Sequence, residues 1–248
     1  MISALAITYN EESNIESYIE SLSFADEIII VDSFSTDQTV ALAKKHNVTV
    51  VKRTFDNFSA QKNHAISLAK NDWIVFFDLD EKISEPLSKE IITTVNSASP
   101  LKAYKVKRNF FFMGKRIKYS GFQTDRVVRL FHKNYCTYNG NSVHETIVTK
   151  EQIGVLKYST DHHTYKNFDN YNQKLSQYSK LQAEQLFKKN VRPNMYHFLF
   201  RPWYRFMHQY ILRLGFLDGK EGFILCYVHG FSVFKRYIQL WLMYRKIN

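Results

Sequence analysis

The first hundred residues of this sequence alternate short apolar runs with amphipathic segments, and this alternation is what most constrains the fold. Four apolar runs predict buried strands, at residues 2–8, 27–31, 48–51 and 73–77. Between them, helical spacing predicts helices over residues 11–22 (with Asn10 as N-cap), 36–46, from 59 onward, and 84–96. Strands that are apolar throughout and joined by helices are typical of parallel βαβ units covered on both faces. The sequence therefore predicts an α/β fold with a mostly parallel central sheet.

The pattern changes after the first hundred residues. Residues 102–160 contain short β runs and an aromatic, hairpin-like turn at 109–114, which indicates an α+β elaboration of the sheet. From residue 167 onward apolar residues recur at helical spacing, and further helices are expected near Pro193 and Asp218. We therefore expect a first domain over residues 1–165, divided into 1–100 and 101–165, and a C-terminal helical region over 166–248.

Polar and acidic side chains follow three of the predicted strands. They are Thr8-Tyr9-Asn10-Glu11, Asp32-Ser33 and Asp78-Leu79-Asp80-Glu81. Ligands of open α/β sheets bind at the carboxyl ends of the strands, so these residues are candidates for a binding site. Asp78 and Asp80, two apart, share a face of an extended chain, and together they suit Mg²⁺ or Mn²⁺ shared with substrate phosphates. An ordinary surface turn is the competing interpretation.

Other candidate residues have two interpretations each. Gln61 and Lys62 lie in the first turns of a predicted helix, where they either face a nucleotide or form a solvated surface. Asp125 is the single acid in a basic stretch at 102–133, and it is either a general base or an ion-pair partner of Arg126 or Arg129. Residue chemistry alone favours the ion pair; the two arginines are also candidates for binding diphosphate oxygens.

Several common sites are excluded by their missing motifs. The sequence has no zinc-type spacing of Cys and His, so we assign His162 and His163 structural roles. It also has no GxGxxG, GxxxxGK[ST] or GxSxG, which excludes the commonest dinucleotide, P-loop and serine-hydrolase sites.

The chain is strongly basic. Its 34 Lys and Arg residues against 23 Asp and Glu give a formal charge of +11, which implies a polyanionic partner: nucleic acid, nucleotide phosphates or an anionic membrane surface. Aromatic residues alternate with Arg and Lys in the C-terminal helices, as in interfacial helices; packing on the protein or on a second subunit is the alternative. They are Trp203, Tyr204, Phe206, Tyr210, Phe231, Phe234, Tyr237, Trp241 and Tyr244.

Three features of the sequence indicate the cellular compartment. Two cysteines suit a reducing compartment, and no apolar stretch approaches the roughly 20 residues of a spanning helix. A strand-like run follows Met1 directly, so no signal peptide is expected. We expect a cytoplasmic protein, soluble or peripheral at the inner face of the cell membrane.

In their order and spacing these motifs resemble glycosyltransferase family 2, and within it the small bacterial lipopolysaccharide-core β-glucosyltransferases. The resemblance extends over nearly the whole chain. It includes the strand-end motifs above, Ser35-Thr36-Asp37, residues 58–65, 125–131, 143–145 and 163–165, and Gly215-Phe216-Leu217-Asp218-Gly219.

The resemblance implies a GT-A fold: a Rossmann-like domain with residues 1–100 on the nucleotide-sugar side and 101–165 on the acceptor side. It implies an inverting, metal-dependent transfer from a nucleotide-diphosphate sugar, usually UDP-linked, to a saccharide or lipid-linked saccharide of a bacterial surface glycan. A non-catalytic basic module that binds nucleotides or nucleic acid is the rival. It accounts for the charge and the aromatics, but gives no reason for acids at strand ends.

The resemblance also implies roles for particular residues. Thr8, Tyr9, Asn10, Glu11 and Asp32 would hold the nucleoside with Gln61 and Lys62, Asp78 would bind the ribose, and Asp80 would bind Mg²⁺ or Mn²⁺. Asp125 matches the catalytic base, with Glu145 as the alternative, and Arg126, Arg129 and His144 would face the diphosphate or acceptor. Two departures are Phe34 and Gln38, where relatives often carry glycine, and Thr124-Asp125 in place of an acidic pair.

Overall fold

The computed structural model describes residues 1–140, 145–163 and 167–247. By internal packing the chain divides into two compact units. The first contains residues 1–108 and 126–162, and the second contains residues 109–125 and the chain from residue 163 onward. Compared with the predicted division at residue 165, the structure groups segment 109–125, which includes Asp125, with the C-terminal helices.

Eleven strands and seven α-helices are described. The strands are β1 (Ile2–Thr8), β2 (Glu27–Asp32), β3 (Thr49–Lys52), β4 (Trp73–Phe76), β5 (Glu81–Lys82), β6 (Ala103–Phe112), β7 (Lys115–Ile117), β8 (Arg126–His132), β9 (Thr137–Tyr138), β10 (Ile147–Val148) and β11 (Ile153–His162). The helices are α1 (Ile15–Ser21), α2 (Thr39–Ala43), α3 (Phe58–Leu68), α4 (Glu85–Val95), α5 (Phe168–Lys188), α6 (Arg201–Met207) and α7 (Gly219–Arg245).

The main sheet of the first unit has the strand order β3-β2-β1-β4-β8-β6-β11-β5. The four strands predicted from the first hundred residues, β1 to β4, are all present and pair in parallel. β8 pairs antiparallel with β4 and with β6, and β5 pairs antiparallel with β11, so the sheet continues beyond its parallel part. β9 and β10 form a separate two-stranded sheet.

Both faces of the parallel strands are covered, as their continuous apolar sequences predict. On β1, Ala4 and Ala6 pack in one hydrophobic cluster with residues of α1 and α4, such as Ile15 and Leu87. Leu5, between them, packs in a second cluster on the other face, which contains residues of α3. Alternation along the strand thus directs neighbouring side chains into two separate cores.

Several helices start at different residues from those expected, and one of them is α2, which begins at Thr39 instead of residue 36. α1 begins at Ile15, after Asn14, because Asn10 adopts a positive φ of 54° and binds the neighbouring loop instead of capping the helix. α3 begins at Phe58, and its N-cap is Asn57, whose side chain accepts a hydrogen bond from Ala60 N at 2.9 Å. Asparagine tolerates both the left-handed conformation and the capping position.

The second unit is built around three long helical segments. α5 and α7 pack together, and α6 is extended on both sides by π-helical turns at Tyr196–Phe200 and His208–Leu212. Close packing against α7 depends on glycine, because a Cβ at Gly222 would lie 2.1 Å from Gly215 O. β6 continues into this unit and forms the predicted hairpin with β7. No helix in the described part of the chain combines the length and apolar character needed to span a bilayer.

The C-terminal aromatics do not all behave as predicted for an interfacial surface. Tyr237 is buried, and the hydroxyl of Tyr244 is buried as well. Trp203, Tyr204 and Phe231 are exposed. Only part of the predicted aromatic set is therefore available to a partner.

A buried chain of hydrogen bonds holds the loop before Asp125 in the second unit. The carboxylate of Asp218 accepts hydrogen bonds from Lys118 N at 2.9 Å, Tyr119 N at 3.0 Å and Ser120 Oγ at 3.0 Å. Gln209 Nε2 donates to Ser120 O at 3.1 Å. The Asp218 carboxylate therefore accepts hydrogen bonds from backbone N–H groups of this loop that would otherwise be buried without a partner. A capping side chain has the same role at a helix terminus.

The same series of hydrogen bonds ends at His229, which is neutral. The side-chain oxygen of Gln209 accepts from His229 Nδ1 at 2.8 Å, because the Gln209 amide nitrogen is already donating elsewhere. His229 Nε2 is then the acceptor for the hydroxyl of Tyr171. Burial, with the nearby positive charge of Arg205, lowers the pKa of His229 to about 3.

The stability of this unit should depend on pH through His229. Because its folded pKa of about 3 lies below the ordinary value, the unfolded chain takes up a proton first as pH falls. Stability is then fully present above about pH 6.5 and decreases below it, by at most about 1.4 kcal/mol per pH unit. Urea unfolding is measured at pH 7.5 and at pH 5. Between these two pH values, the free energy of unfolding should fall by about 1–2 kcal/mol less in His229→Gln than in wild type.

The control is His208→Gln, which replaces a half-buried histidine of the same unit and should keep the wild-type pH dependence. An equal loss of unfolding free energy in wild type and His229→Gln would contradict the assignment of a buried, neutral His229.

Candidate active site

The carboxyl ends of the parallel strands meet at one edge of the first unit's sheet. Thr8, the last residue of β1, pairs with Asp32, the last residue of β2. β4 lies on the other side of β1 and ends at Phe76, after which the chain leads into Asp78. The structure thus brings the three predicted strand-end motifs to one edge, where open α/β sheets bind ligands.

A buried guanidinium holds Asp78 in place. Arg129 on β8 is only 2% exposed, and its Nη2 donates to the carboxylates of both Asp78 and Glu81. Its Nη1 donates to Phe76 O at 3.1 Å, so the same side chain also binds the last residue of β4. A buried charge is stable only when opposite charges and hydrogen bonds surround it. Arg129 therefore fixes the turn that leaves β4.

A second cation approaches Asp78 from helix α3. Lys62 Nζ is 3.6 Å from Asp78 Oδ1 and 3.0 Å from Glu145 Oε1. The rings of Phe76 and Tyr138 lie against the same ammonium group, with centroids 5.7 Å and 5.2 Å away. The nearly buried charge of Lys62 is thus balanced by two carboxylates and two aromatic faces.

These charges set the protonation of Asp78. Burial alone would raise its pKa, but the positive charges of Arg129 and Lys62 outweigh burial and hold the pKa of Asp78 well below its usual range. Burial raises the pKa of Glu81, and the charge of Asp78 adds to that rise against the pull of Arg129. Asp78 is therefore ionised at neutral pH, and 35% of its side-chain surface is exposed at the sheet edge.

Asp80 and His162 form a further polar pair at the same turn. His162 Nε2 is 3.3 Å from Asp80 Oδ2, and both side chains are partly exposed. β11 brings the histidine there, because His162 pairs with Glu81 of β5. A carboxylate oxygen and an imidazole nitrogen suit a divalent ion that completes its coordination with water and phosphate oxygens. Within residues 1–140, 145–163 and 167–247, no three His, Cys, Asp or Glu side chains converge on a metal site.

The loops after β1 and β2 are tied together by hydrogen bonds. The side-chain oxygen of Asn10 accepts from Thr36 N at 2.8 Å, and Asn10 N donates to Ser35 Oγ at 2.9 Å. Glu11 N donates to Thr39 Oγ1 at 2.8 Å. Asn10 and Glu11, two predicted nucleotide-binding residues, therefore also fix the loop that follows β2.

Asp32 and Gln61 are completely buried in this loop layer. The Asp32 carboxylate accepts a hydrogen bond from Ser35 N at 3.0 Å. Gln61 Nε2 donates to Ser33 Oγ at 3.1 Å, and its side-chain oxygen accepts from Arg53. Both side chains shape the loop after β2 from within, and their contact with a nucleotide stays a prediction.

Thr8 and Tyr9 carry groups that no described residue engages. Thr8 Oγ1 is buried, and it has no hydrogen-bond partner among the described residues. A buried hydroxyl without a partner is unfavourable, and a polar ligand at this edge would supply one. Tyr9 next to it is exposed, which leaves its ring open to a ligand.

Comparison with known proteins identifies the family. The model of glycosyl transferase family 2 matches residues 3–146, more than half of the chain. The chain belongs to this family. The match contains all three strand-end motifs, and the α/β architecture confirms the predicted GT-A type fold class.

Individual relatives of this glycosyltransferase come from bacteria. The chain is 28% identical to an uncharacterised glycosyltransferase of Rickettsia bellii, over 96% of this chain and 85% of that protein. It is 25% identical to the lipopolysaccharide core biosynthesis glycosyltransferase LpsC of Rhizobium meliloti, over 95% of this chain and 93% of that one. The similarity to LpsC confirms the resemblance seen in the motifs.

One solved structure with a partial match is glucosyl-3-phosphoglycerate synthase of Mycobacterium tuberculosis, in complex with Mn²⁺, UDP and glucosyl-3-phosphoglycerate. The match covers 45% of this chain and 44% of that protein, which is less than half of the length of either. The sequence identity is 25% and the TM-score is 0.39.

Three other predicted residues of this glycosyltransferase fall in different parts of the chain. Arg126 begins β8 and is exposed. Asp125, before it, is half-buried and follows a 3₁₀ turn that belongs to the second unit. His144 lies outside the described residues.

Arg129 has a different position from the one predicted for a diphosphate or acceptor ligand. It is buried, and both of its terminal nitrogens bind groups of the protein, so it holds Asp78 instead of facing a ligand. The sequence contained the signal, since an arginine between Val128 and Leu130 in an apolar strand requires a buried acid as partner.

His162 was not predicted as a member of the site, and no local signal could have identified it. Glu81 was among the strand-end candidates, whereas His162 was assigned a structural role. His162 comes next to Asp80 through the pairing of β5 with β11. This pairing joins segments about eighty residues apart, and neither strand is distinctive by itself.

Proposed function

We propose that this glycosyltransferase transfers a hexose from a UDP-linked donor, with inversion, to a saccharide or lipid-linked saccharide of a bacterial surface glycan. The observation that carries the proposal is the ionised Asp78 beside the Asp80–His162 pair at the carboxyl end of β4, in a chain of family 2. The similarity to LpsC, a lipopolysaccharide core enzyme, supports this class of acceptor.

The nucleoside would bind across the ends of β1 and β2. Thr8 offers a buried hydroxyl that has no partner in the part of the chain that the structure describes, and Tyr9 offers an exposed ring. Asp78 would accept hydrogen bonds from the ribose hydroxyls. Because Arg129 and Lys62 contact its two oxygens from different elements, its carboxylate is oriented before the ligand arrives. The predicted roles of Asn10, Glu11, Asp32 and Gln61 belong to the same proposal.

Asp80 and His162 would hold Mg²⁺ or Mn²⁺. When bound, such an ion neutralises negative charge that develops on the departing diphosphate. Two protein ligands leave most of the coordination shell to water and phosphate oxygens, which is how such ions usually bind at nucleotide sites. Both side chains are partly exposed and can therefore reach such a shared ion.

Asp125 is the proposed base. It would take the proton of the acceptor hydroxyl while that oxygen forms a bond to the anomeric carbon. The bond from this carbon to the diphosphate oxygen breaks, and its electron pair leaves with the diphosphate. Arg126 and His144 would supply positive charge or hydrogen bonds to the diphosphate or the acceptor. Glu145 is the alternative base, although its contact with Lys62 at 3.0 Å already occupies one oxygen.

The donor and the metal can be tested together by measuring UDP release from a panel of UDP-hexoses. We expect release with Mn²⁺ or Mg²⁺, loss with EDTA and recovery with excess metal. Asp80→Asn should lower turnover on the order of 100-fold, because it removes a ligand of the charge-stabilising ion. Asp72→Asn, which changes an exposed carboxylate of the same unit, is the control and should be near wild type.

Turnover that EDTA leaves unchanged would contradict the metal site. A thermal shift with oligonucleotides, and none with UDP and Mn²⁺, would support the rival nucleic-acid-binding function instead.

The base is tested by comparing Asp125→Asn with Glu145→Gln. We expect Asp125→Asn to bind UDP normally in calorimetry while its kcat falls about 10²- to 10⁴-fold, as is typical when a general base is removed. Glu145→Gln should keep more activity. The reverse order of the two variants would assign the base to Glu145, and normal turnover of Asp125→Asn would exclude Asp125.

A further inference from the structure

The second unit exposes apolar side chains on a turn whose backbone is firmly held. The turn follows α6 and its π-helical extension, and four of its side chains are 41–69% exposed: Leu212, Leu214, Phe216 and Leu217. Large apolar side chains usually turn inward when a loop is free to rearrange, so an exposed group of this kind marks an interaction surface.

The backbone of this turn cannot easily rearrange. Arg213 O accepts hydrogen bonds from Ser120 N at 3.0 Å and from Gln123 Nε2 at 3.3 Å. Gly215 is buried, and a Cβ there would lie 2.8 Å from Cys226 Sγ. Leu214 adopts a positive φ of 58°, which is rare for leucine, and the surrounding bonds hold it there. The fold therefore holds these side chains outward.

Aromatic rings extend the apolar surface onto α7. Phe223 and Tyr227 are exposed by 46% and 61%, and their ring centroids are 6.2 Å apart. Tyr210 connects them to the turn, with centroids 5.7 Å from Phe223 and 6.3 Å from Phe216. We call Leu212, Leu214, Phe216, Leu217, Phe223 and Tyr227 the apolar patch.

The charge around the apolar patch is positive. Arg213 lies within the turn and Lys220 follows it, and both are exposed. The two acids nearest in sequence are already used within the unit: Asp218 is buried on backbone N–H groups, and Glu221 is 2.8 Å from Lys115 Nζ. Elsewhere in residues 191–247 the charged residues are all basic: Arg192, Arg201, Arg205, Lys235, Arg236, Arg245 and Lys246.

From this combination we propose that the apolar patch inserts into the headgroup region of an anionic lipid bilayer. Leucine and aromatic side chains enter the boundary between headgroups and acyl chains, while neighbouring Arg and Lys bind lipid phosphates. A second copy of this chain fits less well, because it would set one cationic surface against another in a protein of net charge +11. Lipid binding by the apolar patch is independent of the proposed glycosyl transfer, since it needs no turnover.

The test is binding of the whole protein to vesicles, measured by co-sedimentation. Vesicles with about 30% phosphatidylglycerol in phosphatidylcholine should bind it at least about 10-fold more tightly than phosphatidylcholine alone. The double variant Leu212→Glu/Leu217→Glu should bind the anionic vesicles at least about 10-fold more weakly, because carboxylates cannot enter the interface next to lipid phosphates.

The matched control is Tyr178→Glu/Leu181→Glu, which makes the same charge change at exposed apolar residues of α5 and should bind as wild type does. Circular dichroism of both variants would be measured first, and it should match that of the wild type. Equal vesicle binding by the patch variant and wild type would overturn the proposal. So would a dimer in solution that dissociates in the patch variant, since a second copy would then cover the patch.

Discussion

The site depends on one buried guanidinium. Arg129 joins the carbonyl of the last β4 residue to the carboxylates of Asp78 and Glu81, and it comes from β8, the first antiparallel strand beside the parallel part of the sheet. Removing it would leave Asp78 and the fully buried Glu81 with more distant cations: Lys62, 3.6 Å from Asp78, and Arg108, 3.7 Å from Glu81. Breaking a buried ion pair in this way is strongly destabilising. The anionic edge of the sheet therefore exists because an antiparallel strand carries an arginine into the core beneath it.

Because of this arrangement, Asp78 and Asp80 have different surroundings although they are only two residues apart. Asp78 is held between Arg129 and Lys62, which keeps its pKa low and its carboxylate fixed. Asp80 lies next to His162 and, in the contacts described, does not bind Arg129 or Lys62. A fixed anion suits a hydrogen-bond acceptor for a ligand, whereas a carboxylate beside an imidazole suits a shared metal ion. The proposed division of roles follows from this difference in surroundings.

The sequence predicted the parallel half of the fold well, because buried parallel strands are continuous apolar runs that need no knowledge of their partners. It could not predict that segment 109–125 packs with the C-terminal helices, since this grouping depends on contacts such as Asp218 with Lys118 N. In the site, the motif residues were found where strands end. Arg129 was predicted as a site residue that faces a ligand, whereas it is buried and binds Asp78. The place of His162 in the site could not be predicted, because it depends on the long-range pairing of β11 with β5.

Arg129 holds Asp78 in the position that we propose for binding the nucleotide, and the most direct test of this role is UDP affinity, measured by calorimetry in Mn²⁺ buffer. In the double variant Arg129→Met/Glu81→Met the buried charges are replaced together, so the fold should persist while the UDP Kd rises at least about 10-fold. Arg108→Met, which removes a cation 3.7 Å from Glu81 but keeps Arg129, should bind within about 2-fold of wild type. An unchanged Kd in the folded double variant would contradict this role of Arg129.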